Sequence, residues 1–166
     1  ERLVGSEMCI RDRLQVVASE DIGLAYPAAI SVARACVESA RELGMPEARI
    51  VLAQAATYVA CAPKSNSSIM AIDAAMDLVA HSKTCPIPAH LQDAHYKSAA
   101  KLGHGIGYLY SHDYPEHYVP QAYLPEGRVY YTPTRNGLEL RISERMEYRR
   151  KMAEEAVKGP DKPTKE

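Results

Sequence analysis

Three alanine-rich stretches limit the folds that this chain can adopt more than any other feature. They follow one another with only short turns between them. The first covers residues 28–43 without a helix breaker, and Gly44 then supplies a stop. The second is nearly all apolar over residues 50–62 and ends at Pro63. Because alanine side chains let helix axes approach closely, the pattern predicts an all-α fold built on a tight helical bundle.

The three predicted helices carry apolar residues at helical spacing. The second is apolar on every side, which is typical of a helix in the middle of a bundle. Ser65 or Asn66 is expected to cap the third. The spacing predicts that Ile30, Ala33, Val37 and Ala40 face inward in the first helix, and that Ile69, Ile72, Met76 and Val79 share a face in the third.

The two ends of the chain are expected to lie outside this domain. Residues 1–13 resemble a translated sequencing adapter and are interpreted as a non-native leader. Residues 158–166 are polar and interrupted by proline and glycine, which is typical of a disordered tail. We therefore expect one helical domain over residues 14–157, which consists of a bundle (14–83), an irregular segment (84–135) and a closing helix (136–157).

The irregular segment has its own composition. It holds six prolines, four glycines and eight of the 11 tyrosines, and the chain has no Phe or Trp. Because a buried tyrosine hydroxyl needs a hydrogen-bond partner, such a segment suits an interface or a polar seam. A short helix over residues 94–102 and a brief strand over 128–131 are expected within it. The fold class is thus all-α with a long irregular segment rich in Pro, Gly and Tyr.

Five of the six histidines lie within 28 residues, at positions 90, 95, 104, 112 and 117. A metal site is not expected from them, because His90 and His95 are five apart and no H-E-x-x-H motif is present. The glycines at 103, 105 and 107 are not followed by the lysine of a phosphate-binding loop. We expect the histidines to bond loop carbonyls and tyrosine hydroxyls, and the glycines to serve backbone turns.

The 20 basic and 21 acidic residues give a net charge of −1. This charge balance excludes a strongly basic nucleic-acid binder and few other classes of protein. A DNA- or protein-binding module that uses a basic closing helix and exposed tyrosines remains an alternative function. The competing interpretation is a solvated helix face that acidic residues neutralise, namely Glu139, Glu144, Glu147, Glu154 and Glu155. No apolar run approaches the length of a membrane span.

A series of short motifs occurs in an order that resembles one known family. They lie at residues 19–27, 43–49, 52–55, 62–66, 88–91, 93–96, 101–105, 107–108, 112–115, 121–126 and 131–133. In this order they are similar to the C-terminal region of the replication-associated recombination protein A family, also called MgsA. These proteins are AAA+ ATPases related to clamp-loader subunits. The resemblance covers about residues 14–150.

The resemblance implies a collar domain that joins protomers, in this family as homotetramers. It implies a parent ATPase that uses ATP and magnesium in an AAA+ module elsewhere in the protein, a module that is itself a partner of this domain. The parent would act in DNA replication, recombination and repair at stalled forks, in the cytoplasm with the nucleoid. Its partners would be DNA and single-strand-binding protein. Because the Walker motifs, sensors and arginine finger are missing from these 166 residues, we expect no catalytic, cofactor or metal residue here.

Residues within the matching motifs are candidates for interface or structural roles. Lys64, near a helix start, could contact an anion, although a turn with its cap explains the same residues. Glu20 and Asp21 could receive an arginine from a neighbour. Gln92 and Ile106 replace residues that are often basic in the family, so an anion contact there is not expected. The candidates are Glu20, Asp21, Lys64, Asn66, His90, His95, His104, Tyr108, His112, Asp113 and Tyr123.

Overall fold

The computed structural model describes residues 2–82, 86–93, 95, 102–124 and 127–158. Within these ranges the chain forms five α-helices and no β-strand, so the predicted all-α class is confirmed. The strand predicted at 128–131 is wrong, because these residues run without regular structure and have no neighbouring strand to pair with. The helices are α1 (Arg2–Val17), α2 (Ala28–Leu43), α3 (Ala48–Cys61), α4 (Ser67–His81) and α5 (Glu139–Lys158).

The connection from α1 to α2 contains an uncommon element. The helix continues as a π-helix over Ala18–Ile22 and ends in a 3₁₀ turn over Gly23–Ala25. Gly23 has φ +48°, and a Cβ at this position would lie 3.2 Å from the Ser65 carbonyl oxygen. Glycine therefore suits position 23 for two reasons, the left-handed backbone and the close approach of the segment that precedes α4.

The chain divides into two compact units. The first contains Glu1–Asp77 with Tyr130–Glu144, and the second contains Leu78–Val129 with Arg145–Glu166. The core of the first unit lies where α1 and the π-helix pack with α2 and α3. It is built mostly of small residues, which is why the helices can lie close together. Its buried members are Leu14, Ala18, Ile22, Ala29, Ala33, Cys36, Ala55 and Val59.

The inward face of α2 agrees with the predicted spacing at three of four positions. Ala33, Val37 and Ala40 are buried, whereas Ile30 is exposed. The amide of Gly44 caps the helix by donating to the Ala40 carbonyl, as its position after the last turn predicts.

The prediction that α3 lies in the middle of a bundle is wrong for this chain. Ala48, Ala55 and Val59 are its buried residues, and Ile50 is 63% exposed. The helix packs against α1 and α2 along one side. An apolar sequence indicates that a helix tends to be covered, but it does not say that the same chain covers it.

The remaining elements are a series of short turns and the closing helix. Turns of 3₁₀ type occur at Ala89–Leu91, Ser111–Asp113 and Pro115–His117. The helix predicted over 94–102 lies largely outside the described residues. Leu140 and Ile142 of α5 are half-buried, whereas Met146 of α5 and Leu138 just before the helix are exposed. None of the helices in the described ranges combines the length and apolar character needed to cross a bilayer.

Candidate functional site

The most unusual group in the first unit is the side chain of Glu139, the first residue of α5, which has no solvent exposure. Its Oε2 accepts hydrogen bonds from Ser65 Oγ at 2.7 Å, from the Thr134 amide at 2.7 Å and from Thr134 Oγ1 at 2.6 Å. Its Oε1 accepts the Tyr131 hydroxyl at 2.9 Å. We call Glu139 and these three donor residues the carboxylate junction. A buried carboxylate is tolerated because donors satisfy both of its oxygens.

Backbone contacts around the junction join three segments that are distant in sequence. The Ser65 amide donates to the Asp21 carbonyl at 2.7 Å, and the Leu138 amide donates to the Ala25 carbonyl at 2.8 Å. The Asn136 side-chain amide donates to the Lys64 carbonyl at 2.9 Å. The end of the π-helix, the turn before α4 and the start of α5 thus form one hydrogen-bonded unit. Three of the sequence motifs, at 19–27, 62–66 and 131–133, meet here.

The carboxylate junction holds Glu139 in its charged form. Burial alone would raise the pKa of the Glu139 carboxyl, but the hydrogen bonds from Thr134, Ser65 and Tyr131 outweigh it and hold the pKa below the ordinary value of 4.5. The pKa of the Tyr131 hydroxyl is raised, first by burial and then by its bond to the carboxylate. The proton therefore stays on the tyrosine and the charge on the glutamate.

A lowered carboxyl pKa predicts a pH dependence of stability. The contribution of Glu139 is fully present above pH 4.5, the ordinary value, and is lost as the pH falls through the lower folded-state pKa. Denaturant unfolding between pH 7 and about pH 3 should therefore show wild type losing stability more steeply than Glu139→Gln, which has no titrating group there. Equal slopes for the two proteins would contradict a charged, junction-stabilised carboxylate.

The lysine and the serine that precede α4 have capping roles in the turn between α3 and α4. The Lys64 ammonium donates to the carbonyls of Val59 at 2.6 Å, Ala60 at 3.2 Å and Ala62 at 2.7 Å. It therefore caps the C-terminus of α3, where free carbonyls and the helix dipole favour a cation. Ser65 Oγ accepts the Ser67 amide at 3.2 Å, which is the capping role predicted for Ser65 or Asn66.

The candidate anion contact at Lys64 has no support in this geometry, because its ammonium already has three acceptors. Asn66 is exposed, and its carbonyl accepts the Met70 amide in the first turn of α4. Asp21 is also exposed, and its side chain lies with Lys64 and Asn66 along an open groove of about 480 Å³ beside the junction. These residues shape the polar surface over the junction.

Helix α4 presents an exposed apolar stripe on the face that the spacing predicts. Ile72 is 55%, Met76 61% and Val79 66% exposed, and Ser67 is the buried residue of the helix. Ile69, on the same face, is half-buried. We call these four residues the α4 stripe. Soluble proteins rarely leave a continuous apolar line of this kind without a partner.

An open, largely apolar groove of about 500 Å³ continues the α4 stripe toward α1. Ile69 and Ile72 form one wall, and Val16 contributes an apolar part of the other. The half-buried Glu20, on the π-helix, lies at the same groove. The carboxylate therefore borders apolar surface, so a partner that fills this groove could present a cation to Glu20.

The predicted histidine and aspartate candidates of the second unit are spread over its turns. Asp93 Oδ1 accepts the His95 amide at 2.9 Å and lies 2.7 Å from His95 Nδ1. The backbone bond first, and the imidazole second, hold the pKa of Asp93 below its ordinary value. His90 is half-buried, and its Nε2 is buried without a hydrogen-bond partner. His104 is half-buried and close enough to Asp93 to contribute electrostatically to the same lowering.

Three aromatic rings of the second unit do come together. The His112 ring lies 5.0 Å from the Tyr110 ring and 4.7 Å from the His117 ring, centroid to centroid. Asp113 is exposed in the turn that carries His112. Tyr108 and Tyr123 are each 57% exposed, and the Tyr123 hydroxyl accepts a bond from Gln121. Most of the predicted tyrosine-rich segment that the structure describes is therefore surface.

The histidines and glycines of the second unit show neither a metal-binding cluster nor the sequence of a phosphate-binding loop in the part of the chain that the structure describes. No group of three or more His, Cys, Asp or Glu side chains in that part of the chain is arranged to hold a metal ion. Gly103, Gly105 and Gly107 have φ values of +75°, +74° and +82°, so they serve left-handed turns as expected. No Lys-Ser or Lys-Thr pair follows them to contact phosphates and magnesium.

Glu139 is the residue that sequence reasoning missed. The sequence places it among the acidic residues of a solvated face on the closing helix, whereas in the structure it is the centre of the carboxylate junction. The position after Asn136-Gly137 suggested only a helix start. The donor Thr134 has no sequence signal either, because nothing local distinguishes a buried threonine from a solvated one.

Comparison with known proteins gives consistent matches over most of the chain. The family model described as MgsA AAA+ ATPase C terminal matches residues 4–150. The chain is 46% identical over 131 residues to replication-associated recombination protein A of Bacillus subtilis, which is 77% of this chain and 31% of that protein. It is 35% identical over 162 residues to the Escherichia coli protein of the same name, which is 95% of this chain and 36% of the relative.

A third relative is an uncharacterized AAA domain-containing protein of Mycobacterium tuberculosis. The identity is 46% over 141 residues, which cover 83% of this chain and 31% of the relative. The chain thus spans about a third of the length of these three relatives.

Proposed function

Because the chain belongs to the MgsA AAA+ ATPase C-terminal family, we propose that it is a non-catalytic assembly domain of a longer replication and recombination ATPase. The parent would bind ATP and magnesium in an AAA+ module outside this chain and act on DNA at stalled forks. Single-strand-binding protein would be a partner of the parent. The cytoplasm, near the nucleoid, is the corresponding location.

The observation that carries the assembly role is the α4 stripe. Three of its side chains are more than half exposed, over about two turns or roughly 10 Å of helix. Burying apolar surface contributes about 25 cal/mol per Å², so an uncovered line of Ile, Met and Val favours contact with another apolar surface. The exposed Ile50 adds apolar surface on α3. A second copy of the chain offers a matching surface by symmetry.

The groove beside the stripe supports a specific contact. Apolar walls from Ile69, Ile72 and Val16 would accept aliphatic side chains, while Glu20 at the same groove would accept an arginine or lysine. A stable interface of this type buries about 800 Å² on each partner. A homotetramer, the state implied by the resemblance to this family, would need two such surfaces or one closed ring.

The expected result for the wild-type chain is a mass of more than one protomer in light scattering. The double substitution Ile72→Asp with Met76→Asp should raise the dissociation constant at least about tenfold, because two carboxylates would have to be desolvated in an apolar contact. Both positions are exposed in the single chain, so circular dichroism should show unchanged helix content.

A matched control is Val129→Asp, which places a carboxylate at a 77% exposed apolar position that lies outside α4. It should leave the mass of the assembly unchanged. A wild-type chain that stays a monomer at about 100 μM, far above the dissociation constant of a stable oligomer, would refute the assembly role. Equal effects of Val129→Asp and the double substitution would refute the α4 stripe as the contact.

A further inference from the structure

The dipeptide Asn136-Gly137, just before α5, combines a side chain and a backbone amide that can react with each other. Glycine has no Cβ to shield its amide nitrogen, so the nitrogen can approach the carboxamide of the preceding asparagine. Both residues are exposed, which lets water and hydroxide reach them. No hydrogen bond in the part of the chain that the structure describes uses the Gly137 amide. Its nitrogen is therefore available as a nucleophile.

The other asparagine of the chain, Asn66, is exposed as well but has a different neighbour. The next residue is Ser67, which carries a side chain beside its amide nitrogen. The Ser67 amide also donates to Ser65 Oγ at 3.2 Å, so it is already engaged in the cap of α4. Asn66 thus has the same side chain and the same exposure as Asn136 but lacks the free, unshielded amide, which makes it an internal control.

We infer that Asn136 is a site of spontaneous covalent modification, in which conversion to isoaspartate releases the segment that holds the carboxylate junction. Hydroxide removes the proton of the Gly137 amide, and the nitrogen attacks Asn136 Cγ. The new C–N bond closes a succinimide ring, and the bond from Cγ to Nδ2 breaks so that ammonia leaves with a proton from water. A water molecule then opens the ring at either carbonyl and gives aspartate or isoaspartate. The sum of these steps exchanges ammonia for water and needs no oxidant or reductant.

Loss of the carboxamide removes a bond between two segments of the first unit. Asn136 Nδ2 donates to the Lys64 carbonyl at 2.9 Å. A carboxylate oxygen cannot donate, so two acceptors would face each other where this bond existed. The new charge would also lie on the groove that Asp21 lines, where like charges repel. Both effects separate the turn before α4 from the start of α5.

The isoaspartate product also changes the main chain, which runs through the former side chain and gains one atom. The Glu139 amide donates to the Asn136 carbonyl at 3.1 Å, and conversion moves this carbonyl out of the main chain. The neighbouring backbone has no room to adjust, because even a Cβ at Gly137 would collide with the Ala25 carbonyl oxygen. The same oxygen accepts the Leu138 amide at 2.8 Å. The modification therefore disturbs the turn that positions Glu139 in the junction.

Incubation of the full chain in mildly alkaline and mildly acidic buffer, followed by peptide mapping with mass spectrometry, tests this inference. The peptide that contains Asn136 should gain the mass of an amide-to-acid conversion, and faster in the alkaline buffer because hydroxide is the base. An isoaspartyl methyltransferase should label the same peptide. The peptide that contains Asn66 should remain unchanged over the same period.

Ion-exchange chromatography isolates the converted chain, because it carries an added negative charge. Its equilibrium constant for unfolding in urea should exceed that of the fresh chain at least about tenfold, because the bonds to Lys64 and from Glu139 are lost. Asn136→Asp adds the charge without the extra main-chain atom, so its constant should lie between the two. Asn136→Gln, whose longer side chain closes a larger ring only slowly, should keep its starting stability through the same incubation.

Equal conversion of Asn136 and Asn66, or conversion of Asn136 only in the urea-unfolded chain, overturns the inference. It is also overturned if the converted chain unfolds like the fresh one, or if Asn136→Gln loses as much stability on incubation. A further expectation rests on the proposed function: conversion should lower the mass of the assembly, because the junction holds the first turn of α4. An unchanged mass for a less stable chain would count against the α4 stripe as the contact and would leave the modification site standing.

Discussion

Glu139→Ala is expected to lower the free energy of unfolding by about 3–5 kcal/mol, because it removes a buried acceptor on which four donor groups converge. Ser65 Oγ, Tyr131 Oη and both donors of Thr134 would lose their partner inside the protein. Each unsatisfied buried donor costs about 1–3 kcal/mol, and some of that cost is recovered when water enters the space. Urea denaturation followed by circular dichroism measures the difference.

The control for Glu139→Ala is Glu147→Ala on the same helix. Glu147 is exposed, so its loss should change stability by no more than about 0.5 kcal/mol. Glu139→Gln should fall between the two, since an amide keeps one acceptor oxygen but turns the other into a donor that faces donors. A loss of less than about 1 kcal/mol for Glu139→Ala would mean that the carboxylate junction does not hold the three segments together.

Gly137→Ala is expected to destabilise the protein by about 3 kcal/mol or more, because two costs add at one position. Gly137 has φ +54°, which alone costs an L-residue about 1–2 kcal/mol. A Cβ there would also collide with the Ala25 carbonyl oxygen and lie 3.0 Å from Pro63 Cγ. The carbonyl cannot move freely, since it accepts the Leu138 amide at the junction.

Gly127→Ala isolates the conformational part of this cost. Gly127 has a similar φ of +58°, but a Cβ there would meet nothing within 4 Å. It should therefore lose about 1–2 kcal/mol, the cost of the left-handed conformation without a collision. Thermal or urea unfolding of both variants gives the comparison. If the two substitutions cost the same, the close approach of the α5 turn to the end of the π-helix is not rigid.

Glu139→Ala and Gly137→Ala should also weaken assembly, although neither residue belongs to the α4 stripe. Helix α4 begins at Ser67, whose hydroxyl donates to the Thr132 carbonyl at 2.8 Å. Ser65, two residues earlier, donates to Glu139. The position of the first turn of α4 therefore depends on the junction. If the α4 stripe is the contact between copies, loss of the junction loosens the element that presents it.

The helices α2, α3 and α4 could be predicted from local signals, because proline, glycine and capping residues act within a few positions of where they stand. Gly44 ends α2 and Pro63 follows α3 at the places where these residues predict an end. The order of the short motifs was sufficient to indicate the family, which the match over residues 4–150 confirms. That resemblance depends on sequence and needs no coordinates.

Burial was predicted less well, because periodicity tells which residues share a face and not what lies against it. Ile72, Met76 and Val79 do share a face of α4, but that face is exposed in this chain. Ile50 is exposed for the same reason on α3. The residues fit the expected pattern, and their partner surface belongs to another molecule if the proposed assembly is correct.

The chain order of prolines, glycines and apolar residues predicted the all-α class and the C-terminal ends of α2 and α3, and the order of the short motifs indicated the family. These features depend on neighbours in sequence or on resemblance. The role of Glu139 depends on Ser65, which is 74 positions away, and the ring contacts among Tyr110, His112 and His117 depend on the turns that bring these residues together. The sequence shows the same glutamate whether water or four protein donors surround its carboxylate. Its surroundings are set by contacts between distant segments, and those exist only in the folded chain.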